Sequence, residues 1–291
     1  MWIDYVLRQV GSSLSTGFKV ADLLLTSRSS SRMIPHSGDT VISLTTHGPR
    51  LRTVYLTIES LIQGTQRAPI ILWLDRDDYE GVWPKTLRNL VERGLQVRCS
   101  DGLYGPHTKY WGTFRELAGS GIRVVTVDDD MIYPTWFLEK LLIAAEASPD
   151  CVVAYRTHAM KLDDEGLLPY KYWKPTMDTE PSRLNFFTGV SGVAYPPSMV
   201  SFVVEQGDVF LQCTPRADDV WLNACALRSG HLARQVYNHP RDFAVIPSTQ
   251  LSALVVGNTL MGGNDEQIAL TYRPRDISSL IDAHTLELDR A

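Results

Sequence analysis

Three consecutive carboxylates, Asp128, Asp129 and Asp130, end the apolar run Arg123-Val124-Val125-Thr126-Val127 and precede Met131-Ile132-Tyr133-Pro134. Short apolar, β-branched runs read as buried strands. Acidic groups at a strand's C-terminal end stand where open α/β sheets bind ligands. Along an extended segment alternate side chains share a face, which puts Asp128 and Asp130 together and Asp129 opposite. Two carboxylates on one face repel unless one is protonated or a cation lies between them. Mg²⁺ uses one or two carboxylates together with substrate phosphates. The pattern therefore suggests an Asp-x-Asp that holds a metal diphosphate. Acid triplets also suit helix N-termini, and Pro134 marks such a start; the adjoining strand is what favours a site.

A second acid pair, Asp218-Asp219, opens a helical pattern that runs to Arg228 and stops at Gly230. N-capping alone would account for it; chemically, one of these carboxylates could deprotonate an acceptor hydroxyl. Other polar groups fall between and around the two acid clusters. Thr45-Thr46-His47-Gly48-Pro49-Arg50 is a strand-end loop suited to a nucleotide base and ribose, or a plain Gly-Pro turn. His107 and Lys109 lie near a helix start, where phosphate oxygens are favoured. In Thr188-Gly189-Val190-Ser191-Gly192 the glycines let backbone approach a ligand. Val193 spoils a Gly-x-Ser-x-Gly elbow, which argues against an esterase. His231 and His239 flank a short strand pattern and are candidate metal or phosphate ligands.

The elements that must carry these groups alternate. Strand patterns at Thr40-Val41-Ile42-Ser43-Leu44, Ile70-Ile71-Leu72-Trp73-Leu74, residues 95–99, the pre-aspartate run and Cys151-Val152-Val153-Ala154 are separated by helical patterns. This predicts a single α/β domain with a mixed, mainly parallel sheet flanked by helices. Neither a Gly-x-Gly-x-x-Gly nor a Gly-Lys-Ser/Thr loop follows the first strand, which disfavours a dinucleotide dehydrogenase or a P-loop NTPase. Residues 156–187 are long, aromatic and weakly periodic. Tyr170, Tyr172 and Trp173 there either stack on sugar rings or tuck onto the core.

The chain has 291 residues, 44% of them hydrophobic and 21% charged, with a formal net charge of -5. An acidic balance argues against general nucleic-acid binding. Cys99, Cys151, Cys213 and Cys225 form no Cys-x-x-Cys pair and read as buried thiols in a reducing compartment. Residues 1–38 read as an amphipathic helix and linker, residues 39–245 as the main domain (donor half 39–133, acceptor half 134–245), and residues 246–291 as a tail or lid. The first segment has no run of the ~20 apolar residues that a membrane span needs. A cytoplasmic protein is expected, with peripheral membrane contact open to that helix.

In order and spacing these motifs resemble the GT-A-fold glycosyltransferases of bacterial polysaccharide and glycolipid synthesis. The likeness runs from about Thr40 to Pro240. It rests on the first-strand loop, the His-Thr-Lys segment, Val-Asp-Asp-Asp, Gly-Val-Ser-Gly and Ala-Asp-Asp-Val-Trp-Leu. The resemblance implies a GT-A-like, Rossmann-related fold. It also implies transfer of a hexose from a nucleotide-diphosphate sugar, GDP-mannose or a UDP-hexose, to a saccharide or glycolipid hydroxyl, with Mn²⁺ or Mg²⁺. On it, Asp130 and Asp128 hold the metal, and Asp128 or Asp129 sits toward the donor with Thr45, His47, Arg50 and Lys109. Asp219, backed by Asp218, is the acceptor-side carboxylate, and Gly189, Ser191, Gly192 and Trp173 lie toward the acceptor. The triplet admits Asp129/Asp130 as the liganding pair, and a third metal ligand is open between His231 and His239. Inversion would make Asp219 the base; retention would make it an orienting group. A nucleotidyltransferase and a non-catalytic carbohydrate-binding protein are the rival readings.

Overall fold

The computed structural model describes residues 31–163, 166–246 and 263–288, together with Leu23. Apart from Leu23, the N-terminal helix expected before residue 26 lies outside these residues, as does the glycine-punctuated stretch 257–262. The first half alternates regularly: β1 Thr40–Thr46, α1 Val54–Ile62, β2 Ile70–Leu74, α2 Arg76–Glu80, α3 Lys85–Glu92, β3 Gln96–Cys99, α4 Thr108–Leu117 and β4 Arg123–Thr126. Then come β5 Met131–Ile132, α5 Phe137–Glu146, β6 Val152–Ala154, β7 Thr157–Ala159, β8 Leu162–Asp163, β9 Gly166–Leu167, β10 Lys174–Pro175, β11 Asn185–Phe187 and β12 Val193–Tyr195. The last elements are α6 Pro197–Glu205, α7 Phe210–Cys213, α8 Asp218–Ser229, β13 Ala233–Gln235, β14 Ala244–Val245, α9 Gly263–Thr271 and α10 Pro274–Leu288.

The central sheet has seven strands in the order β13-β6-β12-β4-β1-β2-β3. The β1–β2, β1–β4, β2–β3 and β6–β13 pairs are parallel, while β12 runs antiparallel to both β4 and β6. The expected mixed, mainly parallel sheet flanked by helices is thus what the chain forms. β1 lies at the centre, which explains its unbroken apolar character: Ile42 and Leu44 face one layer of helices, Val41 and Ser43 the other. On the first face they join Ile58, Leu90, Phe137 and Leu141 of α1, α3 and α5. On the second, α4, α6 and α8 bury Tyr110, Phe114, Val200 and Trp221.

Two features of this second face position the site. Ser43 Oγ donates to the Lys109 carbonyl at 2.7 Å and shares a 2.7 Å hydrogen bond with Thr113 Oγ1, which also accepts from Trp73 Nε1. The first turn of α4 is therefore tied to the middle of β1. Gly112 permits the approach, because a Cβ there would stand 2.3 Å from the Trp73 ring.

Residues 156–187, read from sequence as a loop, instead hold a three-stranded antiparallel sheet, β10-β7-β11. Its strands of two or three residues are too short to show a period. The expected tail differs as well. Residues 263–288 are two helices packed on α8, where Ile268, Tyr272 and Leu280 join Val220 and Ala224 in a core cluster. A buried ion pair, Arg228 to Asp276 at 2.7 Å, fastens α8 to α10. Among the described residues no helix is long and apolar enough to cross a membrane.

Candidate functional site

β4 ends at Thr126, and its alignment with β1 brings the aspartates beside Thr45 and Thr46. Asp129 and Asp130 lie in a turn before β5 rather than in an extended strand, so pleat alternation is not what orients them. Their hydrogen bonds are. Asp129 is buried: Thr46 Oγ1 donates to its Oδ2 at 2.6 Å, Arg50 NH1 to its Oδ1 at 2.8 Å, and Thr57 Oγ1 to its carbonyl at 2.9 Å. Asp129 thus anchors the turn, with both of its carboxylate oxygens engaged by Thr46 and Arg50. Arg50 NH1 also lies 3.4 Å from Asp130 Oδ2.

Asp128 turns toward α4. Lys109 Nζ lies 2.8 Å from its Oδ1 and 3.4 Å from Asp218 Oδ2 at the start of α8. Asp219 joins from the same helix: its Oδ1 accepts the Gly189 backbone N–H at 2.7 Å. Asn223, one helical turn on, holds this register. Its Nδ2 donates to the carbonyls of Phe187 and Asp219, and its Oδ1 accepts from Phe187 N–H. Gly189 leaves the Lys109 and Asp219 side chains their positions. A Cβ there would stand 2.9 Å from Lys109 Nζ and 3.1 Å from Asp219 Oδ1.

Asp128, Asp129, Asp130, Asp218 and Asp219 thus share the two cations Arg50 and Lys109, a formal excess of three negative charges. The titration of these groups follows. Burial, then Asp128 and Asp129, push the Asp130 carboxyl up to about 6 against Arg50 and Lys109. Burial and the neighbouring Asp218 raise Asp219 to about 8, with Lys109 opposing. Asp128 is raised by burial and held back by Lys109. Lys109 would be lowered by burial, but Asp128, Asp218 and Asp219 outweigh this and leave it well above its ordinary value, firmly charged.

The remaining candidates divide. Thr45 lies in the sheet with its hydroxyl donating to the Trp73 carbonyl at 3.0 Å, and His47 is exposed at the rim, where it partly offsets the rise that burial gives the Asp75 carboxyl. His107 is not a phosphate contact. It is fully buried, stacked on Phe210 at 4.2 Å, and joined to the Tyr110 hydroxyl and the Thr214 carbonyl. A carbonyl only accepts, so Nε2 carries the proton. Burial lowers His107 to about 4, which keeps it neutral.

Of the glycine loop only Gly189 reaches the acids. Ser191 is fully buried in the left-handed region at φ 68°, and a Cβ on Gly192, at φ 100°, would strike the Phe137 ring. Both shape the turn and do not offer an acceptor contact. Trp173 is likewise corrected. It is buried against Tyr170 and Phe186 and donates to the Leu168 carbonyl at 2.8 Å. Beside it, the Tyr170 hydroxyl hydrogen-bonds His158 Nδ1 at 3.0 Å and is raised to about 12 by burial and then by Asp219.

His231 is removed as a metal ligand by topology. β13 is parallel to β6, and β6 is antiparallel to β12, as β4 is; His231 therefore precedes its strand at the edge opposite the aspartates. It bonds there to Ser198 and Ser229. His239 follows β13, exposed, at the aspartate edge. Among the described residues no three His, Cys, Asp or Glu side chains are arranged to hold a metal by themselves. The sequence reading missed Ser43, Thr57 and Asn223. Their signal was a polar residue on an otherwise buried strand or helix face.

No protein-family model matches the chain, and no curated protein matches it in sequence. Among solved structures it is similar to S. aureus TarS 1-349, with 13% identity and a TM-score of 0.44 over 70% of this chain and 58% of that one. The same fragment in complex with UDP-GlcNAc gives 15% identity and 0.44 over 70% and 56%. A 4-diphosphocytidyl-2C-methyl-D-erythritol synthase from Anaerococcus prevotii gives 16% identity and 0.47 over 82% and 100%. The chain spans little more than half the length of the TarS fragment. Likenesses of this size carry no argument about activity.

Proposed function

We propose that the chain is a metal-dependent glycosyltransferase that moves a hexose from a nucleotide-diphosphate sugar to a hydroxyl of a saccharide or glycolipid acceptor. GDP-mannose or a UDP-hexose is the donor class that the resemblance to GT-A glycosyltransferases implies. One observation carries the reading. The acids after β4 and the acids that open α8 converge on a single ammonium, Lys109 Nζ, at 2.8 Å and 3.4 Å. A donor site and an acceptor base must adjoin for glycosyl transfer, whereas a carbohydrate-binding module needs neither.

The acid excess suits a divalent cation that arrives with a diphosphate, because Mg²⁺ and Mn²⁺ take one or two carboxylates plus phosphate oxygens. Asp130 and Asp128 would hold it, and when bound it would offset charge on the departing diphosphate. Lys109 and Arg50 are the chain's own cations for the same phosphates. Asp219, fixed through Gly189 and Asn223, takes the proton of the attacking hydroxyl if the anomeric centre inverts, and orients the acceptor if it is retained. A carboxyl that titrates near 8 is an effective proton acceptor at mildly alkaline pH.

The test is calorimetry with UDP, GDP and CDP, each with and without Mn²⁺, followed by a donor-by-acceptor activity screen. Metal-dependent binding of a nucleoside diphosphate is expected. Binding of free sugar without nucleotide would replace the proposal with a binding protein. Pyrophosphate release from a nucleoside triphosphate would replace it with a nucleotidyltransferase.

A further inference from the structure

Lys109 occupies an unusual place for a residue on a helix's first turn. Its side chain is largely buried, and its ammonium lies between a donor-side and an acceptor-side carboxylate. Its backbone is held by Ser43, and the Gly189 side of the ammonium has no room for even a methyl group. It is the positive charge nearest the middle of five carboxylates, with Arg50 engaged at the outer pair, Asp129 and Asp130. We propose that Lys109 is a resident counterion that keeps divalent metal off this acid cluster until a diphosphate draws its ammonium away. The inference rests on the glycosyltransferase reading for the identity of the diphosphate, but the exclusion of metal is a property of the protein alone.

A divalent ion approaching Asp128 and Asp130 meets a fixed ammonium 2.8 Å from one of its two ligands, in surroundings where charges are poorly screened. Metal and ammonium compete for the same carboxylate. A diphosphate reverses this, since its oxygens accept the Lys109 hydrogen bonds and free Asp128 for the ion. Nucleotide and metal would then load together, and metal alone would not open the site by separating Asp128 from Asp218.

The test uses the full chain and Mn²⁺ alone, followed by electron paramagnetic resonance of free Mn²⁺ at pH 7.5. Wild type is expected to bind Mn²⁺ weakly. Lys109→Met is expected to bind it at least about tenfold more tightly, since one buried positive charge has been removed from the cluster. Lys109→Arg should remain as weak as wild type. Lys109→Gln, which can still donate a hydrogen bond to Asp128, should also bind more tightly and serves if the methionine variant does not fold. Tight binding of Mn²⁺ by wild type alone, or no gain in both neutral variants, overturns the proposal. Calorimetry of wild type with a nucleoside diphosphate and Mn²⁺ reports separately on the transferase reading. If that fails while the Mn²⁺ comparison succeeds, the counterion role survives without its assigned diphosphate.

Discussion

Replacing Asp219 by Asn should make the protein more stable and less active, with the stability gain growing as pH rises. The carboxyl is half-buried beside Asp218 and titrates near 8 in the folded chain, against an ordinary value of 3.8. A group raised on folding favours the folded state fully below its unfolded pKa, and that contribution is lost progressively as pH climbs to the folded value. Asn imitates the neutral acid at every pH and still accepts the Gly189 N–H, so the variant keeps what the wild type loses. Each pKa unit corresponds to about 1.36 kcal/mol. Between pH 4 and pH 7.5 the ceiling is therefore about 5 kcal/mol, and partial solvent access to Asp219 brings the expectation nearer about 2 kcal/mol. For a chain of this size that is a Tm difference on the order of 5 °C. The assay is thermal denaturation of both proteins with EDTA from pH 4.5 to 8, paired with turnover at pH 8. A Tm difference that is flat with pH, or that favours wild type at pH 8, refutes the electrostatic account. Near-normal turnover removes Asp219 from catalysis.

Asp130→Asn should abolish metal-dependent nucleotide binding with the melting curve unchanged within a few degrees. In the wild type the same binding, measured by calorimetry, should weaken as pH falls through about 6, where Asp130 takes up a proton that competes with the metal. Gly189→Ala should lower kcat/KM at least about tenfold, because its methyl displaces both Lys109 and Asp219, while circular dichroism remains native. Gly112→Ala should instead act on stability, costing roughly 1–3 kcal/mol in denaturant unfolding as the Trp73 ring is forced aside.

Much of this architecture is legible in the chain itself. Strands such as Ile70–Leu74 show as apolar runs because both of their faces are covered, and the acid clusters stand out because they interrupt such runs. What is hidden depends on partners far along the chain. Asp129 looks equivalent to its neighbours until Thr46 and Arg50 claim it, 83 and 79 residues away in sequence. Choosing between His231 and His239 requires the direction of β13, which no local pattern encodes. The strands β7 to β11 are too short for periodicity, and 263–288 looks like a tail because its apolar residues find their partners on α8.

The reversed strand β12 has a consequence for how such a chain can vary. Because it runs against β4 and β6, residues 156–187 depart from the end of β6 and return to the start of β12 at one rim of the sheet. The part of that excursion between β7 and β11 can lengthen or shorten without shifting the register of any strand beneath the aspartates, so long as Phe187 keeps its hydrogen bonds to Asn223. The fold therefore behaves as a fixed chassis whose β7–β11 rim can vary while the strands beneath it stay in place.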